Sequence, residues 1–158
     1  MAYAAIGQLI VEWSALVGDI ATQTWRIETI LGQGPKPVPI ANPDDRKFGQ
    51  KLDHFTNLLS ASEIKSDACK ALRRKRNRLI QIKVTRDLLA HSPVVVSDFG
   101  PQSIHILSRR KKDEALDFKI IQTEQLEKMN QDLSAARFLI WDAGRDVAYH
   151  FAGLPQPT

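Results

Sequence analysis

Three side chains suited to phosphate chemistry lie within one short segment, residues 86–91, which contains Arg86, Asp87 and His91. A guanidinium binds phosphate through two parallel hydrogen bonds, and an imidazole accepts or donates a proton near neutral pH. A carboxylate that accepts a hydrogen bond from one ring nitrogen leaves the other nitrogen free for proton transfer. The residue types therefore suit an acid–base site acting on a phosphate ester, which makes Arg86, Asp87 and His91 candidate catalytic residues.

The spacing of these residues restricts how they can meet on a helix. Asp87 and His91 are four residues apart and lie within about 40° of each other on one face. Arg86 and His91 are five residues apart, which separates them by about 140° around the helix axis. They can share a cleft only if the helix unwinds near Ala90, which Pro93 favours, or if two subunits combine.

The alternative to a catalytic role is a structural role for the same residues. Arg86 falls in the apolar stripe of its predicted helix, between Ile82 and Leu89. A guanidinium there must meet a carboxylate, a subunit interface or a wet cleft, because an unpaired buried charge is costly. Glu12 is a conceivable partner, and His91 could simply cap the last carbonyls of the helix.

The basic residues of the chain are unevenly distributed, although the net charge is only +4. Eight of them lie between positions 70 and 86, where there is no acidic residue, and a second cluster follows at positions 109–112. Such asymmetry favours an anionic partner such as nucleic acid, whereas a solvated helix face is the simpler alternative. The predicted nucleic-acid-binding residues are Lys70, Arg73, Arg74, Arg76, Arg78, Lys83, Arg109, Arg110, Lys111 and Lys112.

Four stretches have apolar residues at steps of three and four, the period of a bundle helix. They predict helices over residues 4–31, 44–59, 61–90 and 123–151. The segment Ser60-Ala61-Ser62-Glu63 has the form of a capping box and predicts the start of the third helix.

Between the third and fourth helices the period changes from helical to alternating. A β-branched run at 94–96 is followed by two alternating stretches, 103–110 and 115–122, with a cationic tip between them. The sequence therefore predicts a mainly α protein, an up-and-down four-helix bundle with a small antiparallel β insertion at residues 94–122. At 158 residues it is expected to form a single domain.

The composition restricts the classes of protein to which the chain could belong. The lone cysteine, Cys69, has neither a disulfide partner nor a second zinc ligand nearby, and no cofactor-binding motif is present. We therefore expect no metal and no cofactor. No apolar run approaches the length of a membrane span, and the first residues, with Glu12 and no basic leader, predict a helix and not a signal peptide. A cytoplasmic protein without a membrane partner is expected.

Segment 86–91 resembles the Arg-x4–6-His motif of the HEPN superfamily, in which a polar residue usually follows the arginine, as Asp87 does here. The order of elements is also similar, with the motif at the end of the penultimate long helix. The first-helix phrase at residues 11–16 resembles small bacterial proteins of this type. The chain departs from the pattern at Ser92-Pro93, where many relatives have glycine after the histidine.

The resemblance implies a homodimer whose two motifs face each other and, in active members, a metal-independent endoribonuclease. It assigns His91 to proton transfer at the ribose 2′-hydroxyl or the leaving oxygen, Arg86 to the charge on phosphorus and Asp87 to the orientation of His91. We therefore expect an RNA-binding protein of a defence or toxin–antitoxin type system, with a cognate antitoxin as partner. The alternatives are a non-catalytic helical interaction module with a structural Arg86 and a duplex-nucleic-acid binder using the basic helix alone.

Overall fold

The computed structural model describes residues 2–32, 48–62, 64, 66–92, 94–96, 103–109 and 116–152, and the account below is confined to them. Four helices and three strands follow one another along the chain: α1 (Ala2–Ile30), α2 (Phe48–Ala61), α3 (Asp67–His91), β1 (Val94–Val96), β2 (Ser103–Arg109), β3 (Leu116–Gln122) and α4 (Thr123–Ala152). The predicted four-helix bundle with a small antiparallel insertion between the third and fourth helices is confirmed.

Contacts between the helices give their relative directions. Asn130 of α4 donates to the carbonyl of Ala5, near the start of α1, whereas Gly144, farther along α4, lies against Gln23, farther along α1. α1 and α4 therefore run in the same direction. Ion pairs and hydrogen bonds between α3 and its neighbours run in the opposite order on the two partners, so α3 is antiparallel to both α2 and α4. The up-and-down alternation thus applies to α2, α3 and α4.

The start of α3 differs from the prediction. α2 continues through Ala61, and α3 begins at Asp67, six residues later than the capping-box pattern indicated. Ser66 is the N-cap, since its hydroxyl accepts from the Cys69 N–H at 3.3 Å and donates to Asp146 of α4 at 2.9 Å. The tertiary contact with Asp146, which lies 80 positions away, favours this cap over the local one.

The remaining boundaries lie close to the predicted ones. α1 ends at Ile30, and Gly32 follows with φ of 71°, a conformation that glycine adopts without strain. α4 begins at Thr123 as expected. The predicted start of the second helix, at residues 44–47, lies outside the described residues.

The insertion is a three-stranded antiparallel sheet in the order β1-β2-β3. Ile104 pairs with Ile121, and both are buried with Ile106 on the face that joins the helical core. The predicted hairpin is therefore present, with β1 added on the other side of β2. The predicted tip, residues 110–115, lies outside the described part of the chain.

α1 combines a long apolar sequence with a position in the core. Its most apolar 18-residue window has a mean hydropathy of 1.3, so by length and composition it is the one helix in the described ranges that could cross a membrane. This average over a window does not contradict the expected absence of an uninterrupted apolar run of that length. In the bundle, Leu9, Leu16 and Ile27 of α1 are fully buried, and core helices and signal sequences meet the same criterion.

Gln23 makes an unusually close approach to α4. It is fully buried, and its amide has no hydrogen-bond partner among the described residues. A Cβ atom added to Gly144 would lie 2.0 Å from Oε1 of Gln23 and 2.8 Å from its Cδ. The absence of a side chain at Gly144 therefore allows α1 and α4 to approach each other here.

We expect Gly144→Ala to lower the free energy of unfolding by about 1–3 kcal/mol, because the buried Gln23 side chain must move within a filled interface. Urea denaturation followed by circular dichroism measures the change. Gly18→Ala is the matched control, because nothing lies within 4 Å of its added Cβ and alanine favours the helix by up to about 1 kcal/mol. Equal stability changes in the two variants would contradict the proposed role of Gly144.

Candidate functional site

Arg86 lies between α3 and α1, with only 11% of its side chain exposed. Its guanidinium carbon is 5.3 Å from the centroid of the Trp13 ring, and its Nη1 is 3.1 Å from Oδ1 of Asp87. The aromatic face and the carboxylate both stabilise a cation that the helix stripe turns toward the core. The inward position of Arg86 was predicted, but Glu12 pairs with Arg137 of α4 instead.

The carboxylate of Asp87 lies between two cations. Its Oδ2 accepts a hydrogen bond of 2.5 Å from Nζ of Lys83, one turn earlier on α3, and its Oδ1 faces Arg86. The structure therefore brings Lys83, Arg86 and Asp87 into one cluster with an excess of positive charge. Lys83 was predicted as a nucleic-acid contact, and here its ammonium is engaged within the cluster.

His91 is the last residue of α3, and it is exposed. No side chain in the described ranges hydrogen-bonds to its ring, and the nearby carboxylate of Asp87 is held by Lys83. Lys83 and His91 both lie four residues from Asp87, on opposite sides along the helix. The ammonium brings a full positive charge to the carboxylate, whereas a neutral imidazole does not, so Lys83 is the stronger partner.

The end of α3 determines how Arg86 and His91 are related. The N–H of Ser92 donates to the carbonyl of Leu88 at 2.9 Å, so the helix remains wound through Ala90. Unwinding, which the sequence offered as one way to join Arg86 with His91, does not occur. The two side chains remain about 140° apart around α3, and their combination in one site requires a second subunit.

Several ion pairs of the basic run join α3 to its neighbours. Arg76 donates to both carboxylate oxygens of Asp53 on α2, at 2.6 and 2.7 Å. On the other side of the helix, Arg78 donates to Asp132 of α4 at 2.8 Å, and Lys75 lies 3.6 Å from the same carboxylate. These cations therefore neutralise acids from other elements, and less positive charge faces the solvent than the sequence suggested.

The remaining cations of the run are more exposed. Lys70 pairs with Asp67 at the start of α3, and Arg73 donates to the hydroxyl of Ser60 near the end of α2. Arg74 is exposed, and no carboxylate of the described ranges lies within ion-pair distance of it. Among the described residues, Arg73 and Arg74 are thus the members of the run with no carboxylate at ion-pair distance.

The second predicted basic cluster is only partly described. The backbone of Arg109 ends β2, paired with Leu116. The side chain of Arg109, together with Arg110, Lys111 and Lys112, lies outside the described residues.

The titration of several groups follows from these contacts. Hydrogen bonds from Arg76 hold the pKa of Asp53 below its ordinary value of 3.8, and the same bonds raise the pKa of Arg76. Burial raises the pKa of the Cys69 thiol, which makes it a poorer nucleophile. In the part of the chain that the structure describes, no group of three or more His, Cys, Asp and Glu side chains could hold a metal ion.

The sequence analysis missed two contacts of the site. The stacking of Arg86 on Trp13 joins residues that are far apart in sequence, and no local pattern indicates it. The Lys83–Asp87 pair, by contrast, has the i,i+4 spacing that stabilises helices and could have been recognised.

Comparisons of the chain with protein-family models, curated proteins and solved structures gave no match.

Replacement of Arg86 and of His91 should have very different effects on stability. Arg86→Ala leaves Asp87 with one cation fewer and uncovers the Trp13 face, so we expect a loss of about 2–4 kcal/mol. His91→Ala, at an exposed helix end, should change stability by no more than about 0.5 kcal/mol. Urea denaturation measures both, and a loss below about 1 kcal/mol for Arg86→Ala would contradict the structural role of this residue.

The Asp53–Arg76 pair should make stability depend on acid pH. Because the folded-state pKa of Asp53 is lowered, the contribution of the pair is complete above the ordinary value of 3.8 and is lost as the pH falls through the lowered pKa. Both groups are more than one third exposed, so solvent screens the pair and its contribution should be small. In urea denaturation from pH 6 to pH 3, the stability difference between the wild type and Asp53→Asn should shrink toward acid. Arg76→Gln should give the same profile, and a constant difference would contradict the assignment.

Proposed function

We propose that the protein is a HEPN-like RNA-binding protein and a metal-independent endoribonuclease of a defence or toxin–antitoxin type system. It would act in the cytoplasm as a homodimer and have a cognate antitoxin as partner. The observation that best supports this proposal is the exposure of His91 at the end of α3, one turn after a cluster in which two cations surround one carboxylate. The order of the elements, a helical bundle with this segment at the end of its third helix, is a second argument.

The proposed chemistry is transfer of the phosphodiester to the neighbouring ribose hydroxyl. His91 of one subunit would take the proton of the 2′-hydroxyl as its oxygen bonds to phosphorus, and the bond from phosphorus to the 5′-oxygen breaks. The leaving oxygen would take a proton from His91 of the partner subunit, which gives a 2′,3′-cyclic phosphate and a 5′-hydroxyl. The positive cluster of Lys83 and Arg86 would stabilise the additional negative charge on the phosphoryl oxygens.

A dimer is required by this proposal because of the geometry of α3. Within one subunit Arg86 and His91 lie on different sides of a continuous helix. Two antiparallel copies of α3 would bring His91 of each chain toward the cation cluster of the other. Arg73 and Arg74, which have no carboxylate at ion-pair distance among the described residues, could hold more distant RNA phosphates, and such binding would weaken with salt.

A second function is favoured by the surroundings of Arg86. Its burial against Trp13 and its ion pair with Asp87 are those of a structural cation. A non-catalytic interaction module would need Arg86 for stability alone and would have no use for an exposed imidazole at position 91.

Cleavage of RNA in the presence of a chelator distinguishes the two functions. We expect the wild type to cleave single-stranded RNA in EDTA and to leave 2′,3′-cyclic phosphate ends, which mass spectrometry identifies. His91→Ala should lose about 10²–10⁴-fold in rate, the range for one acid–base group. Arg86→Lys, which retains the positive charge, should lose activity while remaining folded.

The matched control is His150→Ala, since His150 is an exposed histidine in the last turn of α4. It should leave cleavage unchanged. The proposal of an endoribonuclease fails if no RNA is cleaved at protein concentrations at which sedimentation shows a dimer. It also fails if His91→Ala and His150→Ala have the same activity.

A further inference from the structure

A groove of about 760 Å³ lies between α3, β3 and α4, and its lining does not include Arg86, Asp87 or His91. Aliphatic side chains from the three elements line it, among them Ile80, Val84, Ile120 and Met129. Val84 and Ile120 are 52% and 55% exposed, so the groove offers apolar surface to an occupant. The volume is in the range of a specific binding site.

The groove is positively charged. Lys119 of β3 and Lys128 of α4 are exposed and line it, and no acidic residue is among the described residues of the lining. Arg78 also contributes to the lining, but its charge is neutralised by Asp132, to which it donates a hydrogen bond. Two uncompensated ammonium groups therefore favour a negatively charged occupant.

One wall of the groove is an edge strand. In the sheet that the structure describes, β3 pairs with β2 on one side, and no strand pairs with its other side. Residues 119–121 of β3, whose side chains alternate between the two faces of the sheet, all border the groove. A segment lying in the groove could therefore pair with the main chain of β3 and direct alternate side chains into the apolar floor.

The lining favours a peptide over a nucleic acid as the occupant. Single-stranded RNA binds through aromatic side chains on which its bases stack, and the described residues that line the groove include no aromatic one. An extended peptide uses the features that are present: main-chain groups at an edge, an aliphatic floor and lysines at the rim. We propose that this groove binds an extended acidic segment of a protein partner, which adds a strand to β3. The inference goes beyond the proposed function and does not depend on RNA cleavage.

The probe for this test is a fluorescein-labelled octapeptide of alternating valine and glutamate, and its binding is followed by fluorescence anisotropy. We expect saturable binding that weakens with salt. A peptide of alternating valine and lysine should bind at least about tenfold more weakly, because its charges oppose those at the rim. An acidic peptide methylated on alternate backbone nitrogens should also bind at least tenfold more weakly, because it cannot donate to β3.

Substitutions of groove residues in the protein test the same contacts. The double variant Lys119→Glu with Lys128→Glu should weaken binding of the acidic peptide by about tenfold or more, because it reverses the charges at the rim. Val84→Ser should also weaken binding, because it replaces an apolar side chain of the groove floor with a polar one. Both changes are at exposed positions, so circular dichroism should be unchanged. Arg26→Glu, which reverses an exposed charge on α1, is the matched control and should bind as the wild type does.

Several results would overturn the proposal. Equal binding of the acidic and basic peptides, or of the methylated and unmethylated ones, excludes strand addition of an acidic segment. Peptide binding that is unchanged in the lysine variant assigns the peptide to another surface. If the lysine variant instead weakens binding of a single-stranded RNA oligonucleotide alone, the groove is a nucleic-acid site. If that variant converts a dimer to a monomer in sedimentation, the occupant is a second copy of this chain.

Discussion

α1 and α4 make the most extensive helix–helix contact in the described part of the chain, and they do so in parallel. Three kinds of contact join α1 to α4. They are the packing of fully buried aliphatic residues, the close approach of Gln23 to Gly144, and the hydrogen bonds that Arg137 donates to Asp19 and Glu12. The remaining elements are positioned by this pair. α3 packs against α4 and α1, and α2 covers α1 and α3. The location of Arg86 against Trp13 therefore follows from how α1 is held by α4.

Most ion pairs among the described residues join different helices. Asp53, Asp132 and Asp146 each connect α3, or its cap, to a neighbouring helix, and Arg137 does the same for α1 and α4. The basic run of α3 is thus partly a structural feature, in which cations meet acids that the chain supplies elsewhere. Among the described residues, Arg73 and Arg74 on α3 and Lys119 and Lys128 at the groove beside β3 are exposed cations without a carboxylate at ion-pair distance.

The architecture could be predicted because its signals are local. Apolar spacing of three and four marks the helices, and alternation at residues 103–109 and 116–122 marks the paired strands. The start of α3 could not be predicted, since the acid that bonds to the Ser66 cap is 80 residues away. The same limit applies to the site. The spacing identified Arg86 as inward-facing, whereas its stacking on Trp13 and the neutralisation of Arg78 by Asp132 depend on the tertiary fold.

The distance in sequence between α1 and α4 has a consequence for synthesis. Their contacts join residues 118 to 125 positions apart, so α1 is translated well before the helix that covers it. Until α4 emerges from the ribosome, a 29-residue helix with the hydropathy of a membrane span has only α2 and α3 to cover it. The nascent chain therefore exposes apolar residues of α1 that α4 later covers. Arrest of translation before α4 would turn the core helix of this bundle into an aggregation-prone segment.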